Sequence, residues 1–195
     1  RFDECSGTTA FDASVHGNNG TITPGSGTDP DNDATGTCGS GNGDEMWNDG
    51  TNGKFNSALG FDGSDDYVDM NDVDEVDFID GQNFTITGWF YRDTFTTDDV
   101  IVAKKQNQAL DAGFMACIDD TNDDLRFVLA DGDLTNYHTI DSTSSFTTTG
   151  WYHFAIVFDD SASNASEIYI NGTDDNATNT TTGTFSSIGE LSNAL

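Results

Sequence analysis

Carboxylates are the residues with which this chain could do most chemistry. Its 195 residues include 35 Asp or Glu against six Lys or Arg, a formal net charge of −29. Hard divalent cations, calcium above all, take about six to eight oxygens from carboxylates, amides and backbone carbonyls on a turn that bends around the ion. Three stretches carry such donors: Asp3, Asp12 and Asn18 about the turn Gly17-Asn18-Asn19-Gly20; Asp62, Asp65 and Asp66; and Asp119, Asp120, Asn122 and Asp123. None has the spacing of an EF-hand loop. In so acidic a chain, a solvated turn accounts for any single cluster just as well.

Acid–base catalysis fits less well. Retaining glycoside hydrolysis needs two carboxyl groups about 5 Å apart, as alternate residues on one strand supply them. In Asp74–Asp80 (DEVDFID) the residues Glu75, Asp77 and Ile79 would share a face, with Asp80 displaced to the other. His153 lies in an apolar run with no Ser or Cys motif beside it, so it reads as a core or rim histidine. His16 and His138 fall in turn-like contexts. No phosphate loop, CxxC pair or basic-aromatic patch occurs, and the residues imply no enzyme. Sugar binding would need exposed rings beside Asn or Asp, for which Tyr91, Trp47 and Tyr137 are candidates.

The charge excludes other partners. A surface this acidic repels nucleic acid and anionic membranes, and no apolar run has the length of a membrane-spanning helix. Cys5 and Cys38 bracket a Gly/Thr/Asp-rich stretch that cannot hold itself, so a disulfide there would tie it down and would fit an oxidising compartment. Cys117, in GFMACI, reads as a small buried hydrophobe. Six N-x-S/T sequons, at Asn19, Asn83, Asn164, Asn171, Asn176 and Asn179, are possible glycosylation sites. The start at Arg1 without Met is what a processed or truncated product would show.

The elements that must position these residues are strands. Gly150–Phe158 (GWYHFAIVF) alternates Tyr152, Phe154, Ile156 and Phe158 against Trp151, His153, Ala155 and Val157. A strand apolar on both faces is expected to lie centrally, with something covering each side. Phe84–Arg92 (FTITGWFYR) alternates in the same way, and Ala58–Phe61, Tyr67–Met70, Val100–Lys104, Gly113–Ile118, Leu125–Leu129, Tyr137–Ile140 and Ser166–Ile170 follow at the short spacing of a β-sandwich. Asn171-Gly172 is a strong hairpin signal. No segment shows a helical period. The expectation is one all-β domain over residues 1–195, an antiparallel two-sheet sandwich with a long disulfide-tied loop insertion at about 20–53, docked by Trp47.

The blocks FDECSGTTAFDASVHGNNGT, KFNSALGFDGSDDYVDM, FTITGWFY and GWYHFAIVFDDS…SEIYINGT, in that order, resemble the laminin-G-like, concanavalin A-like jelly-roll family in its bacterial and archaeal surface-protein form. The likeness covers nearly the whole chain outside roughly 24–52. It implies a jelly roll in an extracellular, cell-surface module that binds a glycan or protein, often with structural calcium. It also favours Asp3, Asp12 and Asn18 as the metal ligands, because Asp12 and the following turn recur in it. Two features depart from the family pattern: the Cys5–Cys38 insertion, and an end at Ser187–Leu195 where one or two closing strands would follow. A sandwich lacking those strands would expose an edge for self-association. The reading is therefore a calcium-stabilised, non-catalytic adhesion or recognition module; the alternative is a structural subunit of an extracellular filament, sheath or surface layer.

Overall fold

The structure, a computed structural model, describes residues 1–25, 34–40, 45–48, 53–71, 73–77, 82–93, 95, 98–105, 112–132, 135–159 and 166–185. Ser187–Leu195, where the closing strands would begin, lies outside the described residues. The chain divides into two compact units, Arg1–Val73 and Asp74–Leu195. The described residues are all-β, with one 3-10 turn at Asp74–Val76 as the only helical element.

The first unit is made of short strands. β1 (Thr9–Ala10), β2 (Gly20–Thr23) and β5 (Tyr67–Asp69) form one antiparallel sheet, while β3 (Trp47–Asn48) pairs with β4 (Ala58–Leu59). Ala10, Ile22, Met46, Trp47 and Leu59 bury together, with Cys38 and Val68 against them. Trp47 donates its indole N–H to the Gly7 carbonyl at 2.9 Å, which satisfies the one polar atom of a ring that is only 3% exposed. Cys5 and Cys38 form a disulfide, and the Cys38 amide also donates to the Cys5 carbonyl.

The second unit is a sandwich. β6 (Phe84–Arg92), β11 (Gly150–Phe158), β12 (Glu167–Ile170) and β13 (Thr173–Asp174) make a four-stranded sheet in the order β13-β12-β11-β6. β7 (Asp99–Lys105), β8 (Gly113–Asp119), β9 (Asp124–Ala130), β10 (Tyr137–Ser145) and β14 (Asn176–Thr182) make a five-stranded sheet in the order β14-β10-β9-β8-β7. All pairings are antiparallel, and the chain changes sheet between β6 and β7, β10 and β11, and β13 and β14. The turn from β12 to β13 is Asn171-Gly172, both with positive φ (52° and 80°), the conformation that suits a two-residue hairpin.

The period-2 pattern decides which residues enter the core. Phe84, Ile86 and Phe90 of β6 and Tyr152, Phe154, Ile156 and Phe158 of β11 turn inward against Phe114, Phe127, Leu129 and Ile140 of the other sheet. Gly88 leaves the space that the ring of Phe154 fills across the strand pair, since a Cβ there would meet that ring at 2.9 Å. The two faces of β11 differ within this unit. Its second sheet lies on the inner face, while Trp151, His153, Ala155 and Val157 on the outer face are half-buried. On that outer face Trp89 packs against His153 and Tyr91 against Trp151.

Buried cations close the side where β6 and β7 form sheet edges. Arg92, at the end of β6, is 4% exposed and donates to Asp99 (3.0 Å), Asp123 (2.6 Å) and the Phe146 carbonyl (3.1 Å). Lys104 of β7 is fully buried opposite Phe114 and pairs with Asp77. An inward-facing charge on an edge strand discourages pairing with a foreign strand.

Candidate functional site

Among the described residues of the second unit, the exposed aromatic rings Trp89 and Tyr91 lie on the outer face of the four-stranded sheet. Cross-strand register sets Trp89 opposite His153 and Tyr91 opposite Trp151. The ring centroids lie 5.2 Å and 5.4 Å apart, at 64° and 59° between planes, within the range of favourable aromatic pairs. Trp89 is 38% and Tyr91 49% exposed. His153 is fixed by its backbone N–H to Asn171 Oδ1 (3.0 Å) and by its Nε2 at 3.1 Å from Thr87 Oγ1, whose hydroxyl donates to the Phe154 carbonyl. The next rows are small and polar: Thr87 and Ala155 beside Tyr169, then Thr85 and Val157 beside Glu167. The Tyr169 hydroxyl donates to the Glu167 carboxylate, which pushes the phenol up from its ordinary range. At the foot of these rows an open cleft of about 600 Å³ is lined by Asn83, Thr85, Val157, Asp159 and Glu167, with Phe84 and Phe158 beneath.

Of the three rings picked for sugar binding, Tyr91 alone stands on this face. Trp47 is buried in the first unit, and Tyr137 opens β10, half-buried between Ala130 and Thr182. Trp89 and Trp151 join Tyr91 there, as does His153, which the sequence assigns to the core or rim. The alternation of FTITGWFY and GWYHFAIVF places them together once the two strands are known to be neighbours, and that neighbourhood is what a single strand pattern does not contain.

The acidic clusters separate by what their oxygens already hold. Asp12 anchors its turn: it accepts the Ser14 hydroxyl (2.6 Å) and amide (2.7 Å) and the Asn18 amide (2.9 Å). These hydrogen bonds, led by that from the Ser14 side chain, lower its carboxyl to about 2. The Asp3 carboxylate lies 3.6 Å from the Arg1 guanidinium. Among the described residues two trios of carboxylates each bring an oxygen within 4.8 Å of one another, Asp62-Asp65-Asp66 and Asp98-Asp119-Asp120, and neither includes Asp3 or Asp12. Asp66 accepts the amides of Gly25 (2.8 Å) and Asp62 (3.0 Å), and Asp62 accepts that of Ser64 (2.7 Å). A side chain at Gly25 would run into the Asp65 carboxylate, so this loop passes close over the cluster.

Arginine is already present at the second trio. Arg126 pairs with Asp119 and with Asp141 (2.7 Å). Burial works to raise the Asp119 carboxyl, but the Thr121 amide and Arg126 outweigh it and hold it below the usual range. Asp98 accepts the Asp120 amide at 2.8 Å. Asp123, grouped by sequence with Asp119, turns instead to Arg92. Asp98 was missed because it lies 21 positions before Asp119 in the chain and reaches it only through the pairing of β7 with β8.

Among the described residues of Asp74–Asp80, residues 74–77, no strand forms. Asp74 and Glu75 sit in the 3-10 turn, Asp77 is the counter-ion of Lys104, and Ile79 and Asp80 lie outside the described residues. The sequons divide as well. Asn19, Asn83 and Asn171 are exposed, Asn176 is half-buried and accepts the Ile168 amide, Asn179 donates to the Ser166 carbonyl at 2.8 Å, and Asn164 lies outside the described residues. Cys117 is a buried free thiol. Among the described residues no helix is long and apolar enough to cross a membrane.

A family model described as the concanavalin A-like lectin/glucanases superfamily matches residues 62–193. Comparison with curated proteins and with solved structures finds no match.

Proposed function

This chain belongs to the concanavalin A-like lectin/glucanase superfamily, and from that premise we propose that it is a non-catalytic, extracellular recognition module that binds a cell-surface glycan or protein. The aromatic outer face of the four-stranded sheet carries this reading. Exposed rings grouped on one sheet are a recognition surface, whereas isolated exposed apolar residues are ordinary. The acids support it from the other side. Asp77, Asp119, Asp123 and Asp141 each pair with a buried or half-buried cation, which is structural work. The disulfide fits an oxidising compartment.

Calcium belongs to the same proposal as a structural ion. Asp62, Asp65 and Asp66 suit it by chemistry, being oxygen donors gathered where the loop at Gly25 closes over them. At the other trio Arg126 already supplies positive charge to Asp119. When bound, the ion would be held by Asp62, Asp65 and Asp66 and would neutralise the repulsion among their carboxylates. The chain's own carboxylates orient the amides there in any case.

The test is binding of the whole chain to a glycan array and to a panel of cell-surface ectodomains, in calcium and in EDTA. Saturable binding to either is expected, together with a higher melting temperature in calcium; at a hundredfold excess over Kd a stabilising ligand adds about 2.7 kcal/mol. Ordered fibres on concentration, with no saturable binding, would replace this reading with the filament or sheath subunit.

A further inference from the structure

Lys104 and Arg92 are both buried on the side where β6 and β7 form sheet edges, but their chemistry differs. A guanidinium stays protonated in a protein, whereas an amine can give up its proton and become a nucleophile. Lys104 stands on β7 opposite Phe114, so its side chain enters the inner face beside a ring of the aromatic core. It has no exposed surface, and its Nζ pairs with Oδ1 of Asp77, whose side chain is 24% exposed. We propose that Lys104 and Asp77 condense into an intramolecular amide, a covalent cross-link on the edge side of the sandwich.

Both partners stand on fixed backbone. The Asp77 amide donates to the Asp74 carbonyl at 3.1 Å, at the end of the 3-10 turn, and the pairing of β7 with β8 holds Lys104. For well-oriented groups within one molecule the effective concentration reaches about 10⁵–10⁸ M. Solvation acts in the same direction. In open water the hydration of a separate ammonium and carboxylate favours hydrolysis of an amide. Where the amine is cut off from water that advantage shrinks, because a buried ion pair bears a desolvation cost that a neutral amide does not.

The step is a dehydration. The ammonium passes one proton to the carboxylate, the Nζ lone pair attacks Cγ, and a second proton moves from nitrogen to the departing hydroxyl. An N–C bond forms, a C–O bond breaks, and one water leaves. One positive and one negative charge disappear together, so the net charge is unchanged and neither oxidant nor cofactor is needed. Asp77 is the exposed end of the pair, which gives the water its exit.

Placement gives the bond a use. β6 and β7 are edge strands of the two sheets, and Asp77 lies on the segment that leads into β6. An amide between residues 27 positions apart ties that segment to the edge of the opposite sheet. The first unit has its disulfide; the second gains a cross-link that a reductant does not open, whatever the module binds.

The experiment is the intact mass of the full chain, exported to a bacterial periplasm, then reduced and denatured, followed by peptide mapping. A mass one water below that of the sequence is expected, with a branched peptide joining Lys104 to Asp77. Trypsin should fail to cut after Lys104, and dithiothreitol should leave the link intact. Lys104→Arg keeps the cation and Asp77→Ala removes the acid; each should show its full sequence mass and no branched peptide. A wild-type chain of full mass would overturn the proposal and leave an ordinary buried ion pair. So would a lost water traced to another residue, such as a cyclised aspartate, with trypsin still cutting after Lys104.

Discussion

Residues 1–73 bury a core of five described side chains, Ala10, Ile22, Met46, Trp47 and Leu59, whereas residues 74–195 bury fourteen described side chains, six of them Phe. The first unit supplements its small core with a disulfide and with carboxylates that hold turns: Asp12 over Ser14 and Asn18, Asp66 over Gly25 and Asp62. The second unit also sets carboxylates against cations, at Arg92, Lys104 and Arg126, while Asp98, Asp119 and Asp175 hold turns there through backbone amides. Similar Asp-rich composition is thus put to two uses. Where apolar area is scarce, local hydrogen bonds and a cross-link order the chain; where two sheets bury aromatic rings, the acids neutralise charges that the core would otherwise expel.

The largest expected effect falls on the second unit. Phe127→Ala, at a side chain with no exposure, should cost about 3–5 kcal/mol, read as a lower denaturant midpoint and lost amide protection across β8, β9 and β10. Protection that survived there would mean that the aromatic core is not what holds the sandwich. Next comes the cross-link. Cys5→Ser should cost roughly 3–4 kcal/mol, since the two cysteines lie 33 residues apart and the closed loop is long. The loss should concentrate in residues 1–73; an equal loss of protection in β9 would break the contrast between the units.

His138 sharpens the comparison through pH. It is 1% exposed, stacks on Phe185 at 6.2 Å and shares a hydrogen bond with Thr181 Oγ1 at 2.9 Å. Burial lowers its pKa from the ordinary 6.5, while the hydrogen bond with Asn179 works the other way. The unfolded chain therefore binds the proton more readily, so this contribution is complete above pH 6.5 and is lost as pH falls below it. His138→Gln should flatten the decline in melting temperature from pH 6.5 downward. An unchanged slope would show that other groups set it.

Much of the sandwich was legible because its strands alternate: Phe84–Arg92 and Gly150–Phe158 have the bounds that the pattern indicates, and Asn171-Gly172 makes the expected hairpin turn. β14 was not legible. Its sequence NATNTTT has no apolar face, and it is a strand because β10 offers an edge that its backbone completes. β10 also runs to Ser145, past the expected Ile140, through polar residues. The candidate site divides in the same manner. Tyr91 and the trio Asp62-Asp65-Asp66 are near in sequence and were found; Trp89 with His153 and Asp98 with Asp119 meet only through strand pairing. In the first cluster Asp12 has the residue type of a ligand, and the structure adds that its oxygens also hold its own turn.

That turn supplies the smallest effect, and it tests how the first unit uses its acids. The Asp12 carboxylate accepts the Ser14 hydroxyl and the amides of Ser14 and Asn18, while the Asp12 amide donates to Asn19 Oδ1 at 2.9 Å. Its carboxyl titrates near 2 in the folded chain against 3.8 for the free group. Folding therefore favours the ionised form, and the contribution is complete above about pH 4, then fades as pH falls toward 2. Amide exchange or NMR shifts of Ser14 and Asn18 should report this window, with the turn loosening in acid while β9 keeps its protection. Asp12→Asn keeps one acceptor oxygen but no charge, so the turn should be looser at neutral pH and indifferent to acid. If wild type and Asp12→Asn titrated alike at these amides, the turn would be held by its backbone and Asn19, and its carboxylate would be available to a metal ion after all.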